Sequence, residues 1–261
     1  MPRFAANLSM LFTEWSFPER FTLAKASGFH FVEYLFPYAF PAGELAQRLA
    51  ENGLEQVLFN LPCGDWAGGE RGIAALPGRE SEFRDGVGRA LEYAAALGVT
   101  RLNCLAGKLP EGVSPEDAFE TLFENAAFAA DALAAAGRTL VVEAINHFDI
   151  PGFLLNRTEE VMALLDVVAR PNAAMQYDVY HAQREEGELA ATIAANLPRI
   201  GHVQIADNPG RHQPGTGEIR FPFLFSELDR LGYDGYVGLE YVPAPDTPAS
   251  LAWVAEMGLT L

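Results

Sequence analysis

Four oxygen-bearing side chains, Glu143, Asp178, Gln204 and Glu240, stand at or near the C-terminal ends of four successive apolar runs, TLVVE, AAMQYD, IGHVQIAD and GYVGLE. Three carboxylates and an amide oxygen are hard donors. Gathered at one point, they suit Mg²⁺ or Mn²⁺ better than zinc, which favours His and Cys. Without a cation the like charges would repel, and one carboxyl would have to keep its proton. Side chains alternate along a strand, so Gln176 shares a face with Asp178, and His202 with Gln204. If the upper pair faces a common site, the lower pair lies one layer beneath it, where buried polar groups support ligands. The other reading of His202 is a hydrogen-bonded core histidine. His181, three residues after Asp178, can donate to a substrate oxygen. Arg71, Lys108 and Arg211 are candidates to hold a substrate carboxylate, the arginines through a bidentate fork; Arg71, or failing that Lys108, is the expected contact. Each of these also reads as an ordinary surface charge.

Bringing four strand ends together requires a particular frame. The chain reads as strand then helix, eight times. RFAANLS, FHFVEYL, LEQVLFNLP and RLNCLAG are the first four strands, carrying Asn7, Glu33 and Asn60 near the ends of the first three. Helices are expected from near Pro18 to before Gly28, from Gly43 to Asn52, and on the stripe Phe83, Val87, Ala90, Leu91 and Ala94 that stops at Gly98. Ser114-Pro115 opens the fourth as cap and first-turn proline, and Gly137 ends it. Later helices are expected from about Thr158, from about Glu186 to Asn196, from Pro222 to Gly232 and from Pro248 to Met257. Two long polar loops, 62–78 and 206–220, follow the third and seventh strands, and loops of that length are more often functional than ornamental. The first is a candidate lid. Such alternation allows an open doubly wound sheet or a closed barrel. Eight units without a GxGxxG turn favour the α/β (β/α)₈ TIM barrel, in which all strand ends converge on one mouth.

The chain has 261 residues, near the roughly 250 of one such barrel, and is expected to form a single TIM-barrel domain over 1–261. Its formal charge of −17 opposes nucleic-acid binding, which needs clustered Lys and Arg. It also opposes long-range steering of an anionic substrate, so an acid must be met by a cation or by a few placed basic residues. Cys63 and Cys104 follow no metal or redox spacing. No signal segment or membrane-length apolar run is read, and the expectation is a soluble, reduced, cytoplasmic protein. An assembly of identical copies is compatible with the sequence.

Segments across nearly the whole length resemble the hydroxypyruvate isomerase family of the xylose isomerase-like TIM-barrel superfamily. They are ANLSMLF, FPY, NLP with GDWA and GERGIA, PGRE with EFRDGV, EAINHFDIPGF, QYDVYH, HVQIADNPGRH, PGTGEI and GLEY. The related 2-oxo-tetronate isomerases share the frame, while the stretches around Asp65-Trp66 and Asn146-His147 look more like the hydroxypyruvate branch. The resemblance implies interconversion of hydroxypyruvate and 2-hydroxy-3-oxopropanoate, a small oxo acid and its aldehyde isomer, by an aldose–ketose type isomerase. It implies Glu143, Asp178, Gln204 and Glu240 as metal positions, and Glu143 and Glu240 as proton acceptor and donor. The sequence departs from wider patterns in two places. Gln204 stands where sugar epimerases of the superfamily often carry His, and no basic residue follows Tyr241 in GLEYVP. Two rival classes remain: a metal phosphodiesterase of the endonuclease IV type, opposed by the charge and the scarcity of His, and a non-catalytic sugar-acid binding protein, which needs no paired bases.

Overall fold

The computed structural model describes residues 2–261. Its strands are β1 (Arg3–Asn7), β2 (Phe31–Glu33), β3 (Glu55–Asn60), β4 (Arg101–Cys104), β5 (Thr139–Glu143), β6 (Ala173–Asp178), β7 (Ile200–Ile205) and β8 (Tyr236–Leu239). They pair in parallel in sequence order, and β8 closes on β1. The helices are α1 (Phe17–Ala26), α2 (Ala42–Asn52), α3 (Glu80–Leu97), α4 (Pro115–Ala135), α5 (Thr158–Val168), α6 (Val179–Glu185), α7 (Leu189–Asn196), α8 (Phe221–Leu231), α9 (Thr247–Ser250) and α10 (Ala252–Glu256).

The expected stops and starts have clear causes. The Ser114 hydroxyl accepts from the Asp117 N–H at 3.0 Å, with Pro115 in the first turn of α4. Gly98 ends α3 at φ 71°, where a side chain on the left-handed backbone would be strained. Two expectations are corrected. The sixth helix does not begin near Glu186. It begins at Val179, directly off β6, because the Asp178 carboxylate caps it by accepting from the Tyr180 N–H at 2.8 Å. Glu188, at φ 48°, then breaks the chain into α6 and α7. The last helix is likewise two short pieces divided at Leu251.

The alternation of side chains sorts each strand into two environments. Outward residues such as Phe4, Val142, Met175 and Val203 pack under the helices in the main core. Inward, a smaller cluster containing Ala5, Leu58, Val141 and Tyr236, with Phe31 and Ala174 packed against it, fills the lower barrel. The Arg3 guanidinium stands 4.3 Å from the Tyr236 ring centroid, and Arg101 5.4 Å from it. Two residues further along β1 to β6 the inner face turns polar: Asn7, Glu33, Asn60, Asn103, Glu143 and Gln176, all buried. The barrel is therefore dry below and polar above, and the polar layer opens on the mouth.

Candidate active site at the barrel mouth

Glu143, Asp178, Gln204 and Glu240 are all buried on the inner side of β5 to β8. Glu143 spends one oxygen on the protein: Oε2 accepts from Asn103 Nδ2 at 3.0 Å and from Gln176 Nε2 at 2.9 Å. Its Oε1 faces His181 Nε2 at 3.9 Å. Asp178 is divided the same way. Oδ1 caps α6, whereas Oδ2 is buried without a hydrogen-bond partner and lies 3.5 Å from His181 Nε2. Arg211 stands over the group, Nη2 3.7 Å from Asp178 Oδ2 and 3.6 Å from Glu240 Oε1.

The electrostatics follow from crowding in a water-poor site. Burial, then repulsion from Glu240 and Asp178, holds the Glu143 carboxyl well above the usual range. Burial likewise pushes Glu240 up to about 8, against the pull of Arg211. Asp178 is raised by burial, with Arg211 and the cap hydrogen bonds opposing. Burial would lower Arg211, but Glu240, Asp178 and Glu143 together raise it. One arginine against three carboxylates leaves the mouth short of positive charge.

His181 belongs to this cluster through α6, and its tautomer can be read from its neighbours. The Asp149 N–H donates to Asn146 Oδ1 at 2.9 Å, which turns Asn146 Nδ2 toward His181 Nδ1 at 2.6 Å. An amide nitrogen can only donate, so Nδ1 accepts and the ring proton sits on Nε2, facing the carboxylates. Burial, then Arg211 and Arg184, keep this imidazole neutral by lowering its pKa well below the ordinary value.

Ligand atoms of Glu143, Asp178 and His181 all lie within 4.8 Å of one another, a group able to hold a metal ion. The Nε2 proton makes His181 a donor beside such an ion. The donors that fit a hard cation are the open carboxylate oxygens and the Gln204 oxygen. The Asp178 Oδ2 without a hydrogen-bond donor and the raised carboxyl pKa values are the observations that support the fit: each marks negative charge that Arg211 meets only in part.

The other expected residues fall into three places. Gln176 lies in the polar layer between Glu143 and Gln204, donating Nε2 to Gln204 Oε1 at 2.6 Å. His202, fully buried, meets Glu33 Oε2 at 2.7 Å. Arg71 is pinned to its own loop: Nη1 donates to the carbonyls of Trp66 at 3.0 Å and Glu70 at 2.7 Å, with the guanidinium 4.1 Å from the Trp66 ring centroid. Lys108 is exposed and bridges to Phe153. Among the described residues, only Arg211 of the three basic candidates pairs with the carboxylates.

The loops that carry these side chains are built rather than loose. Asp207, fully buried, accepts N–H groups from Asn208, Gly215, Gly217 and Ile219 at 2.8–3.1 Å and so folds loop 206–220 around itself. That loop holds Arg211 at φ 57°, a left-handed conformation costing about 1–2 kcal/mol for a residue with a Cβ. The Val242 N–H fixes it by donating to the Arg211 carbonyl at 2.7 Å. One stretch of the candidate lid, 72–75, is buried and anchored: a Cβ on Gly72 would overlap the Leu105 carbonyl, and one on Gly107 the Gly72 carbonyl. Residues 64–68 are exposed.

Four supporting residues carry no role in the sequence reading: Glu33, Asn103, Asn146 and Asp207. Glu33 and Asn103 were accessible to the same logic that picked Glu143, since both lie at strand ends. Asn146 and Asp207 act through loop geometry that no spacing shows.

The Xylose isomerase-like TIM barrel family profile matches residues 21–257. The chain is 52% identical to Hydroxypyruvate isomerase of Escherichia coli (strain K12), over 97% of this chain and 98% of that protein. It is 50% identical to 2-oxo-tetronate isomerase of Cupriavidus necator, with the same coverage. Among solved structures, AP endonuclease, family 2 from Brucella melitensis superposes with a TM-score of 0.96 at 49% identity, covering 98% of this chain and 99% of that one. With closed-barrel geometry, a family match over most of the length and relatives this similar, the chain belongs to the xylose isomerase-like TIM barrel family.

Proposed function

We propose that this protein is a hydroxypyruvate isomerase, interconverting hydroxypyruvate and 2-hydroxy-3-oxopropanoate by proton transfer. The observation that carries the reading is the near-full-length 52% identity to the E. coli hydroxypyruvate isomerase. The paired buried glutamates supply the chemistry it needs. The reaction removes a proton from C3 of hydroxypyruvate and places one on C2, while a hydroxyl proton passes from O3 to O2. One of Glu143 and Glu240 takes the C3 proton and the other delivers the C2 proton. A carboxyl raised toward neutrality holds a proton loosely enough to give and firmly enough to take. A Mg²⁺ or Mn²⁺ held by Glu143, Asp178, Gln204 and Glu240 would supply the positive charge that stabilises an enediolate. His181 donates its Nε2 proton to a substrate oxygen. Arg211, whose Nε–H is buried without a partner, takes the substrate carboxylate. Arg71 and Lys108 are the secondary candidates for that contact, and Gln176 and His202 brace the ligands from below.

A second reading, 2-oxo-tetronate isomerase, is favoured by the nearly equal identity to the C. necator protein. Comparing kcat/KM for hydroxypyruvate and a four-carbon 2-oxo acid, with and without chelator, separates the two. A phosphodiesterase reading is opposed by the −17 charge and by a mouth with a single arginine on its carboxylates.

Turnover in D₂O tests the mechanism. A proton held on a glutamate exchanges with solvent, whereas a hydride migrating between carbons does not. Deuterium on the product carbon is the expected result, full if two bases act and partial if one shielded base shuttles. Product without carbon-bound deuterium at any pH refutes proton transfer.

A further inference from the structure

Among the four proposed ligands, Gln204 alone can present the wrong atom. A carboxylate offers oxygen on both arms, but an amide shows either an oxygen or an NH₂ group, and only the oxygen can face a cation. What decides the matter is Glu33, which reaches Gln204 across the barrel from β2, with β1 and β8 lying between them and β7 in the sheet. Glu33 is fully buried and its two oxygens meet three side chains: Asn7 Nδ2 at 3.0 Å and Gln204 Nε2 at 2.8 Å on Oε1, and His202 Nε2 at 2.7 Å on Oε2. A glycine makes room for it, since a Cβ on Gly238 would overlap both carboxylate oxygens. A carboxylate in this position can only accept, so the Gln204 end that faces it must be the NH₂.

We propose that Glu33 is a positioning residue: by binding the Gln204 NH₂ group it turns the Gln204 oxygen toward Glu143, Asp178 and Glu240, and so makes the cation site all-oxygen. Asn7 and His202 hold Glu33 itself in place. Gln176 Nε2 uses one lone pair of the Gln204 oxygen, and a carbonyl oxygen has a second to offer. The inference rests on the cation reading given above, and its test separates the two.

Mn²⁺ is titrated into the unsubstituted protein, Glu33→Gln and the exchange Glu33→Gln/Gln204→Glu, with calorimetry for affinity and paramagnetic resonance for free ion. Glu33→Gln keeps the shape but can turn its own NH₂ toward Gln204, releasing the orientation. It should bind Mn²⁺ about 10- to 100-fold more weakly, the range for a lost supporting partner. The Mn²⁺ concentration giving half-maximal rate should rise in step, with KM for substrate at saturating Mn²⁺ unchanged. The exchange variant should recover affinity, because a glutamate at 204 needs no orienting and the amide at 33 donates to it in reverse. Equal affinity in the unsubstituted protein and Glu33→Gln overturns the proposal and leaves the cation reading standing. Failure of the exchange to recover affinity also overturns it, since Glu33 would then be needed for its own charge. Absence of Mn²⁺ binding in the unsubstituted protein removes the cation reading and this inference together. If the variants do not fold, a crystal structure of the unsubstituted protein with Mn²⁺ decides: an ion held without the Gln204 oxygen overturns the proposal, and one held through it, with the nitrogen on Glu33, supports it.

Discussion

At or near the mouth ends of strands β1 to β4 stand Asn7, Glu33, Asn60 and Asn103; at or near those of β5 to β8 stand Glu143, Asp178, Gln204 and Glu240. Both halves are buried and both are polar, yet their electrostatic state differs. The first half is three amides and one carboxylate, and that carboxylate has donors on both oxygens. The second half is three carboxylates and one amide, and of the carboxylates Glu143 and Asp178 each keep one oxygen turned away from their hydrogen-bond donors. A buried charge is tolerable when it is satisfied and is available for binding or proton transfer when it is not. On the proposed function, the first half of the barrel braces and the second half is left open to react. Asn103 and Glu33 show how the two are joined, each reaching from the bracing half to a side chain of the reactive one.

The largest effects should come from breaking the reactive half. Glu143→Gln and Glu240→Gln keep the shape and remove the titrating group, and each should lower kcat by roughly 10²–10⁴, the range for a lost general acid or base. A steady-state assay with hydroxypyruvate checks this, and a loss confined to KM would take proton transfer away from that residue.

Next is the one cation that already sits on the reactive half. Arg211→Ala should lower kcat/KM for hydroxypyruvate by at least about 10-fold, the scale of one lost charge-assisted hydrogen bond. Arg71→Ala and Lys108→Ala should change it less. The reverse ranking would move the carboxylate contact to the outer loops.

Crossing from one half to the other, Asn103→Ala removes the donor to Glu143 Oε2. The carboxylate would lose its fixed orientation, and kcat/KM should fall roughly 10- to 100-fold, corresponding to the roughly 1.5–3 kcal/mol of a hydrogen bond to a charged group. Activity equal to that of the parent would mean that Gln176 alone is enough to hold Glu143.

The smallest effect is on stability. Glu143, Asp178 and Glu240 have folded-state pKa values raised above their unfolded ones, Glu240 to about 8. Between the unfolded carboxyl range and that value the folded protein holds more protons than the unfolded chain, so stability falls as pH rises. The Tm of cation-free protein should therefore drop by several degrees between about pH 5 and about pH 8, at roughly 2–4 °C per kcal/mol for a chain of this size. Saturating Mg²⁺ should flatten the slope, because a cation replaces the protons and binds only the folded form. A slope unaffected by Mg²⁺ would place the titrating groups elsewhere.

Much of this was legible in the amino-acid order. Alternation of apolar runs and amphipathic stripes specifies the closed eight-stranded barrel, and the last polar residue of each run specifies Glu143, Asp178, Gln204 and Glu240 as neighbours, because parallel strands place all their C-terminal ends at one rim. Period-two alternation puts Gln176 on the face of Asp178 and His202 on that of Gln204; the register sets Gln176 level with Glu143, to which it donates. What the order could not set was any relation that depends on reach across the barrel or on the path of a loop. Glu33 read as one more strand residue until β2 and β7 faced each other over Gly238. Arg211 ranks behind Arg71 and Lys108 in the sequence as a basic loop residue for the substrate carboxylate. Only the folded path of 206–220 around Asp207 aims the first at the carboxylates, while Trp66 and its carbonyl retain the second. Strand spacing is a local property that sequence carries directly. Side-chain partnership between elements distant in the chain is a property of the closed barrel, and exists only once the strands have met.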